Sequence, residues 1–252
     1  EGAPALYFIN PAGVTFGAGA TIDVPGAFHV ATADYVKFAD GRFYADAARA
    51  STFSSAPPEA FGFLGGQRGT LALVEGARLV ARHGHGLTLA GGDVLVDDAV
   101  AATVGGGELR VAAVGATPAE LPLQGALPAA DGILVMRNNG SFTTLAGDAP
   151  AGGRLVVSAG EMGLDSAANL YSLGGAAPAD LGAGGDIDIA VRGLLSLAGG
   201  ASISSETAGA GAAGALRVQA GQMQLVGGGY LYSVSGEGAS GAVGAINVNS
   251  RG

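Results

Sequence analysis

The sequence predicts an all-β protein folded as a right-handed parallel β-helix, a solenoid, with short extra-helical strands or hairpins. Apolar residues fall in short alternating runs, which is typical of half-buried strands, and no useful stretch has the helical period. Glycines, 47 in 252 residues, separate these runs and mark turns. The runs also recur at regular intervals. A single coil cannot bury its inner face, so stacked coils at about 4.8 Å would bury a continuous apolar column.

Residues 132–252 carry the clearest repeat, with a period of about 30 residues. The interval from Met162 to Met223 equals that from Leu170 to Leu231, and a half-way copy begins at Gly184. Glycines mark the equivalent position in each copy: Gly153, Gly185, Gly214 and Gly244. These spacings predict one coil per step between successive glycines.

Residues 1–115 form a first region with a shorter period, of about 22 residues. Three pairs of apolar residues relate two successive sets of strand-like runs: Leu71 with Val94, Leu79 with Val100, and Leu87 with Leu109. Eight of the nine phenylalanines precede residue 64. This region is therefore expected to have an aromatic core of its own.

Residues 116–131 interrupt the pattern with three prolines. Because proline cannot donate a hydrogen bond to a strand ladder, this segment is expected to be a linker or an excursion outside the helix. Further on, Asn139-Gly140 lies between two apolar runs. It fits either a hairpin turn or the corner of another coil.

The composition restricts the classes of partner and site. A net charge of −9 and an isoelectric point near 4.6 argue against nucleic acid and against anionic membrane surfaces. The absence of cysteine excludes disulfides and thiolate metal sites. No run reaches the roughly 18 apolar residues that an integral membrane segment needs. We expect no cofactor.

Several motifs suggest binding chemistry, but each has a simpler structural interpretation. Two Gly-x-Gly-x-x-Gly windows begin at Gly209 and Gly236, yet strands rather than helices follow them, so a nucleotide loop is disfavoured. Asp186-Ile187-Asp188 places two carboxylates on one strand face, where a solvated outer surface is favoured over calcium binding.

His83, His85 and the Asp97-Asp98 pair are interpreted as coil corners rather than metal ligands, because no further ligands lie nearby in sequence. No metal site, no catalytic set and no strained nucleophile turn is predicted.

Tyr171 and Tyr232 are separated by the same interval as Met162 and Met223. Their spacing favours a ladder of stacked side chains on an outer face. Exposed aromatic residues on a flat β-face could also contact glycans of host cells or of the extracellular medium, and this alternative stays open.

The segment Leu6–Phe43 closely resembles the secretion domain of filamentous-haemagglutinin-like exoproteins of two-partner secretion. The resemblance begins with an apolar run, an Asn-Pro-x-Gly turn and Phe-Gly, and it continues in order to about residue 115. The matching positions are Asn10-Pro11-Ala12-Gly13-Val14, Phe16-Gly17, Gly26-Ala27-Phe28, Ala31-Thr32-Ala33-Asp34 and Phe38-Ala39-Asp40-Gly41. Residues 132–252 resemble the glycine-rich β-helix repeats that follow this domain in many members.

The resemblance implies a protein that is transiently periplasmic and then secreted or displayed on the surface of a Gram-negative bacterium. An outer-membrane β-barrel transporter would recognise the secretion domain, and Asn10, Pro11 and Gly13 are the candidate recognition residues. They could equally serve only to shape a turn. Ala12 replaces the second asparagine of the family's turn, and Gly13 should preserve the turn. The family's N-terminal part, with its cap and a second Asn-Pro motif, is expected to precede this segment.

Three classes of function compete. The first is a non-catalytic recognition and folding module with its stalk, in a secreted adhesin. The second is a polysaccharide-binding or polysaccharide-degrading β-helix, but Lys37 is the only lysine and acidic residues do not recur at coil spacing. The third is the carrier part of a large toxin with its activity in a separate C-terminal domain. We therefore expect no enzymatic activity.

Overall fold

The computed structural model describes residues 3–53, 55–66, 69–175 and 181–251. In these residues all regular elements are strands. Their bounds are β1 (Leu6–Ile9), β2 (Val14–Phe16), β3 (Phe28–Ala31), β4 (Tyr35–Phe38), β5 (Gly41–Tyr44), β6 (Pro58–Phe63), β7 (Leu71–Val74), β8 (Arg78–Ala81), β9 (Leu87–Gly91), β10 (Val94–Asp97), β11 (Val100–Val104), β12 (Leu109–Ala113), β13 (Ala119–Pro122), β14 (Ile133–Arg137), β15 (Ser141–Leu145), β16 (Leu155–Ala159), β17 (Glu161–Leu164), β18 (Asn169–Leu173), β19 (Ile187–Leu197), β20 (Ser202–Thr207), β21 (Leu216–Leu225), β22 (Tyr230–Ser235) and β23 (Ile246–Ser250).

The chain winds through successive coils, and each complete coil visits three faces in the same order. Face 1 stacks β1, β3, β9, β12, β16, β19, β21 and β23 in parallel. Face 2 stacks β2, β7, β10, β14, β17, β19 and β21. Face 3 stacks β8, β11, β15, β18, β20 and β22. Strands β19 and β21 cross the corner between faces 1 and 2. The predicted all-β parallel β-helix is confirmed.

We number the coils by their strands on face 1. Coil 1 begins with β1, coil 2 with β3, coil 3 with β9, coil 4 with β12, coil 5 with β16, coil 6 with β19, coil 7 with β21 and coil 8 with β23. Inward side chains of successive coils align in columns. Met162, Leu195 and Met223 form one such column, so the interval between the two methionines corresponds to two coils.

The shorter repeat, of residues 1–115, predicts the observed partner residues for two of its three pairs. Leu71 pairs with Val94, and Leu87 pairs with Leu109. Leu79 pairs with Ala101 rather than with the predicted Val100. Leu79 and Ala101 both point inward and are fully buried, so the observed register keeps like faces together. Pairing with Val100 would have placed an inward residue over an outward one.

The corner between faces 2 and 3 uses residues with positive φ. Asn138 and Asn139 have φ of 52° and 62°, and Gly140 donates a backbone hydrogen bond of 2.9 Å to Arg137. Asparagine tolerates this left-handed region better than most residues. The turn joins β14 on face 2 to β15 on face 3. Of the two alternatives for Asn139-Gly140, the coil corner is therefore the one observed.

A column of glycines lies two residues before the strands of face 1. It contains the four predicted repeat positions and two earlier ones: Gly26, Gly107, Gly153, Gly185, Gly214 and Gly244. A Cβ built on Gly153, Gly185, Gly214 or Gly244 would lie 1.6 to 2.1 Å from a carbonyl oxygen of the preceding coil. Real Cβ atoms do not approach so closely, so coils 5 to 8 can only stack at this distance with glycine at this position. Coil 3 places His85 at this position.

A four-stranded antiparallel sheet lies outside the helix. Its order is β13-β6-β4-β5, and its strands come from two excursions that leave coils 2 and 4 between face 1 and face 2. Strand β13 lies within residues 116–131, so the predicted excursion also supplies an edge strand. Because β6 and β13 belong to coils 2 and 4, their pairing spans the intervening coil 3.

A second hydrophobic core fills the space between this sheet and face 1. Phe61 and Phe63 are at most 2% exposed and pack with Leu121 against small outward residues of face 1, including Ala90 and Ala112. The expected aromatic core is thus present. Not all of the phenylalanines join it: Phe43 and Phe53 are about half exposed and contact each other at the hairpin.

Face 3 carries a column of hydroxyl side chains that point into the helix. Thr103, Thr144, Ser172 and Ser205 occupy equivalent positions in coils 3 to 6, and all four are fully buried. The Thr103 hydroxyl donates to the Gly107 carbonyl at 2.6 Å. Among the described residues, the hydroxyls of the other three have no hydrogen-bond partner. Buried polar groups without partners reduce stability.

Thr144→Val should therefore stabilise the protein, by about 1 kcal/mol, because it replaces an unpaired hydroxyl with a methyl group of similar size. Thr103→Val, one coil away, is the matched control and should destabilise by about 1 kcal/mol because it removes a hydrogen bond that is made. Chemical denaturation of both variants measures the two changes. Equal effects of the two substitutions would contradict the assignment of the hydroxyls.

Candidate functional site

The Asn10–Gly13 turn joins β1 on face 1 to β2 on face 2 in coil 1. Gly13 donates a backbone hydrogen bond of 3.1 Å to the Asn10 carbonyl, which closes the turn. The side-chain Oδ1 of Asn10 accepts a second bond from the backbone amide of Ala12, also at 3.1 Å. Gly13 has φ of 124°, a conformation that favours glycine. The turn thus forms although Ala12 stands where the family has asparagine.

Contacts with coil 2 fix this turn on both sides. Asn10 donates to the Ala31 carbonyl at 3.0 Å, and Gly69 donates to the Pro11 carbonyl at 3.0 Å. A Cβ on Gly69 would lie 2.1 Å from the backbone nitrogen of Gly13, so the two chain segments touch. The side chain of Asn10 is exposed. The turn is therefore a rigid, partly solvent-facing corner in the first coil.

Two other residues from the segments that resemble the family, Thr32 and Asp34, stabilise the same part of the molecule. Thr32 is buried, and its hydroxyl accepts a hydrogen bond from the amide of Gly92 in the next coil at 3.1 Å. The Asp34 carboxylate accepts from the Leu64 amide at 2.7 Å and so holds the two ends of the first excursion together. Each of these two polar side chains thus satisfies a backbone donor at a point where the chain leaves the helix.

The outer surface of the extra-helical sheet is organised around Glu120 on β13. Its carboxylate accepts from Tyr35 at 2.8 Å and from Lys37 at 2.5 Å, and Arg42 lies 3.5 Å away. The hydrogen bonds from Lys37 and Tyr35 hold the pKa of Glu120 below its usual value despite some burial. Burial and the hydrogen bond to Glu120 raise the pKa of Tyr35 to about 12. Lys37, the only lysine, thus links the two excursions.

Beneath the sheet, face 1 carries a column of four larger side chains, one from each of the first four coils: Tyr7, His29, Thr88 and Arg110. The rings of Tyr7 and His29 stack at 4.7 Å, and His29 Nδ1 lies 2.9 Å from the Thr88 hydroxyl oxygen. Arg110 is 3% exposed. It donates to the carbonyls of Gly125 at 2.9 Å and Pro122 at 3.0 Å, and to Glu108 at 3.2 Å.

Sequence reasoning did not identify Arg110. In the run Glu108 to Val114 it occupies an outward position, which normally predicts a solvated side chain. Only the return of residues 116–131 over face 1 buries it. The Arg110 guanidinium then donates to two backbone carbonyls of that segment, those of Pro122 and Gly125.

Burial, and then the charge of Arg110, lower the pKa of His29 from 6.5 to about 4. Below pH 6.5 the unfolded chain binds a proton that the folded chain does not accept until about pH 4. The free energy of unfolding should therefore fall between pH 6.5 and 4, by up to about 3 kcal/mol at about 1.4 kcal/mol per pH unit.

Urea titrations across this pH range measure the loss. His29→Gln should flatten the pH dependence, whereas His83→Gln, at an exposed corner, should leave it unchanged. A His29→Gln variant that loses as much stability as the parent protein between pH 6.5 and 4 would rule out this assignment.

The acidic and histidine motifs lie where the sequence predicted, on outer surfaces and corners. Asp188 accepts from Arg154, and Arg217 contacts both Asp186 and Asp188 at 2.5 and 3.4 Å, so this pair belongs to an ion-pair ladder across neighbouring coils. His83 has φ of 57° in a corner turn. No group of three or more potential metal ligands occurs within residues 3–53, 55–66, 69–175 and 181–251.

The two Gly-x-Gly-x-x-Gly windows lie in the turns that precede β21 and β23 on face 1. Strands rather than helices follow both windows, as predicted. Gly211 and Gly241, one from each window, stack on each other in successive coils: a Cβ on Gly241 would lie 1.9 Å from the Gly211 carbonyl oxygen. The glycines therefore serve close stacking.

Tyr171 and Tyr232 lie in the same outward column of face 3 but do not stack directly. Ser204 of the intervening coil separates them. Both phenol hydroxyls instead donate to the carboxylate of Glu206, Tyr171 at 3.2 Å. The expected ladder of stacked rings is replaced by a carboxylate bridge, because the two tyrosines are two coils apart.

Comparison with known families identifies the first half of the chain. The sequence model of the family described as the TPS secretion domain, TPS standing for two-partner secretion, matches residues 2–131. The matched range contains strands β1 to β13, hence the Asn10–Gly13 turn and both excursions, and it ends just before β14. No curated protein and no solved structure gives a significant match to the chain.

In the part of the chain that the structure describes, no helix has the length and apolarity needed to cross a bilayer. The family match covers slightly more than half of the 252 residues. It spans the solenoid coils that hold the Asn10–Gly13 turn and the extra-helical sheet together. The chain therefore belongs to the TPS secretion domain family, and it is part of a secreted Gram-negative exoprotein that is exported through an outer-membrane partner transporter.

Proposed function

We propose that this chain is the non-catalytic recognition and folding module, with the beginning of the stalk, of an adhesin of the filamentous haemagglutinin type. The transporter recognises the corner formed by Asn10, Pro11 and Gly13. The observation that carries this proposal is the construction of that corner: its backbone is fixed by coil 2, while the Asn10 side chain remains exposed.

The remainder of the solenoid supports the adhesive part of the proposal. Its regular coils extend the outer faces away from the secretion domain, as a stalk does. Asp186 and Asp188 are neutralised by Arg154 and Arg217 rather than arranged as a free carboxylate pair. This pairing argues against a hydrolytic carboxylate pair at this point of the solenoid.

Two variants of Asn10 separate recognition from turn stability. Asn10→Ala removes the side-chain acceptor of Ala12, a bond that contributes about 1 kcal/mol. Asn10→Asp keeps an acceptor in the same place. We expect secretion into the medium to fall several-fold for Asn10→Ala when the complete exoprotein is co-expressed with its transporter.

Immunoblots of medium and periplasm measure the secreted fraction. If Asn10→Asp is also poorly secreted although its unfolding is unchanged, the transporter recognises the asparagine amide itself. If Asn10→Asp is secreted normally, the shape of the turn is what matters. Normal secretion of both variants, or secretion without the transporter, would refute the assignment of this corner.

A further inference from the structure

The outer surface of face 3 in coils 5 to 7 concentrates aromatic side chains. Tyr171, Tyr230 and Tyr232 all point outward from β18 and β22 and flank the strand β20. The rings of Tyr230 and Tyr232 lie 5.4 Å apart with 30° between their planes. Half of the six tyrosines of the chain thus lie on one small surface.

These rings cover the backbone between them. Ser204 points outward between Tyr171 and Tyr232, yet it is only 1% exposed, while Tyr230 is 47% exposed. The tyrosine side chains therefore lie along the sheet rather than projecting from it. The result is a flat surface that is apolar over the rings and polar at their hydroxyl ends.

Glu206 is the acidic group of this surface and has no cationic partner there. None of the ion pairs among the described residues includes it, and β18, β20 and β22 contain no lysine, arginine or histidine. One carboxylate oxygen accepts from Tyr171 and the other from Tyr232. The phenols thus fix the orientation of the carboxylate, and each oxygen retains a second acceptor site.

Both phenols remain hydrogen-bond donors over the physiological range. Burial, and then the Glu206 carboxylate, raise the pKa of Tyr171 above its ordinary value. Burial and the hydrogen bond to Glu206 do the same to the pKa of Tyr232. The two phenols thus keep their protons and orient the carboxylate between them beside the aromatic faces.

We propose that this surface binds a neutral glycan, with sugar rings stacked on Tyr171 and Tyr232 and sugar hydroxyls donating to Glu206. Aromatic faces and an oriented carboxylate are complementary to the C–H face and the hydroxyl edge of a pyranose. The two tyrosines are two coils apart, about 9 to 10 Å, which is the length scale of two linked sugar units in an extended chain.

Charge determines which glycans fit. The uncompensated Glu206 carboxylate, in a chain with a net charge of −9, repels sulfated or carboxylated sugars. A neutral glycan meets no such repulsion. This inference rests on the proposed adhesive function and gives it a ligand class.

Purified exoprotein from the medium tests the proposal by titration with cellohexaose, chitohexaose and a heparin hexasaccharide. Because the chain has no tryptophan, tyrosine fluorescence and saturation-transfer NMR both report on ring contacts. We expect a neutral hexasaccharide to bind. Tyr232→Ala and Glu206→Gln should each weaken its binding at least tenfold, and Tyr232→Phe less, since it keeps the ring. Glu237→Gln, an exposed neighbouring carboxylate, is the matched control and should leave the affinity unchanged.

Three results would overturn the proposal: binding that the Tyr232 and Glu206 variants do not change, binding of the heparin probe alone, or no binding of any probe. Glu206→Gln and Tyr232→Phe preserve side-chain size, so loss of binding in these variants, with unchanged thermal unfolding, does not reflect misfolding. Adhesion of secreting cells to host cells is measured separately. If the cells still adhere although no neutral glycan binds, the glycan proposal fails and the adhesin proposal stands. If the glycan binds but the cells do not adhere, the adhesin proposal fails and the glycan proposal stands.

Discussion

Gly185→Ala should lower the free energy of unfolding by about 3 kcal/mol or more, the upper range for overpacking a closely packed site. The new Cβ would lie 1.9 Å from the Gly153 carbonyl oxygen and 2.6 Å from its carbon. Both obstacles are backbone atoms, so no side-chain rotation can relieve the contact. Coils 5 and 6 would have to separate and lose neighbouring hydrogen bonds, such as the one from Leu155 to Asp186 at 2.9 Å.

Gly163→Ala is the matched control for this prediction. Gly163 lies within β17, and nothing lies within 4 Å of a Cβ built on it. Its replacement should leave the stability unchanged or raise it by up to about 1 kcal/mol, because alanine restricts the unfolded chain. Guanidinium denaturation monitored by circular dichroism compares the two. Similar unfolding of Gly185→Ala and Gly163→Ala would contradict a requirement for glycine in the column.

Arg110→Met should destabilise the protein by about 3 kcal/mol, since it removes a buried guanidinium and leaves the carbonyls of Gly125 and Pro122 without their donor. Methionine retains most of the apolar stem, so the loss reports on the guanidinium. The first effect should be local. Residues 116–131 should detach from face 1 under conditions in which the β-helix itself remains folded. Hydrogen exchange and limited proteolysis of that segment measure this detachment.

Arg82→Met provides the comparison, because Arg82 is exposed at a coil corner. It should change neither stability nor proteolysis by a measurable amount. An Arg110→Met protein whose residues 116–131 stay protected from protease would show that Phe61, Phe63 and Leu121 suffice to hold the excursion.

The repeat of the solenoid could be predicted because the residues of a buried column recur at regular intervals in the sequence. Met162 and Met223 had to be apolar at the same point of their coils, and Gly185 had to be glycine because of its neighbour in the coil before. The single error in register, at Leu79, arose where two alanines beside Val100 made inward and outward positions hard to distinguish.

The candidate site could be predicted only in part. The Asn10–Gly13 turn has a local signature, since proline and glycine fix its backbone. The pairing of β6 with β13 has none, because it depends on two excursions meeting across coil 3. The same holds for Arg110 and Glu206, whose neighbours come from other coils or from an excursion.

The interlocked excursions also give the solenoid two mechanical regimes. One ion pair, from Arg192 in coil 6 to Asp131 in coil 4, skips a coil. The strands of coils 5 to 8 otherwise pair only with their neighbours along the axis, so under tension these coils can separate one at a time once that ion pair breaks. Coils 2 to 4 cannot do so, because the β6–β13 ladder clamps coil 3 between its neighbours and must be sheared along with them. The secretion domain is thus a mechanical anchor for the solenoid, and a pulling force would unravel the distal coils before it disturbed the end that holds the Asn10–Gly13 turn.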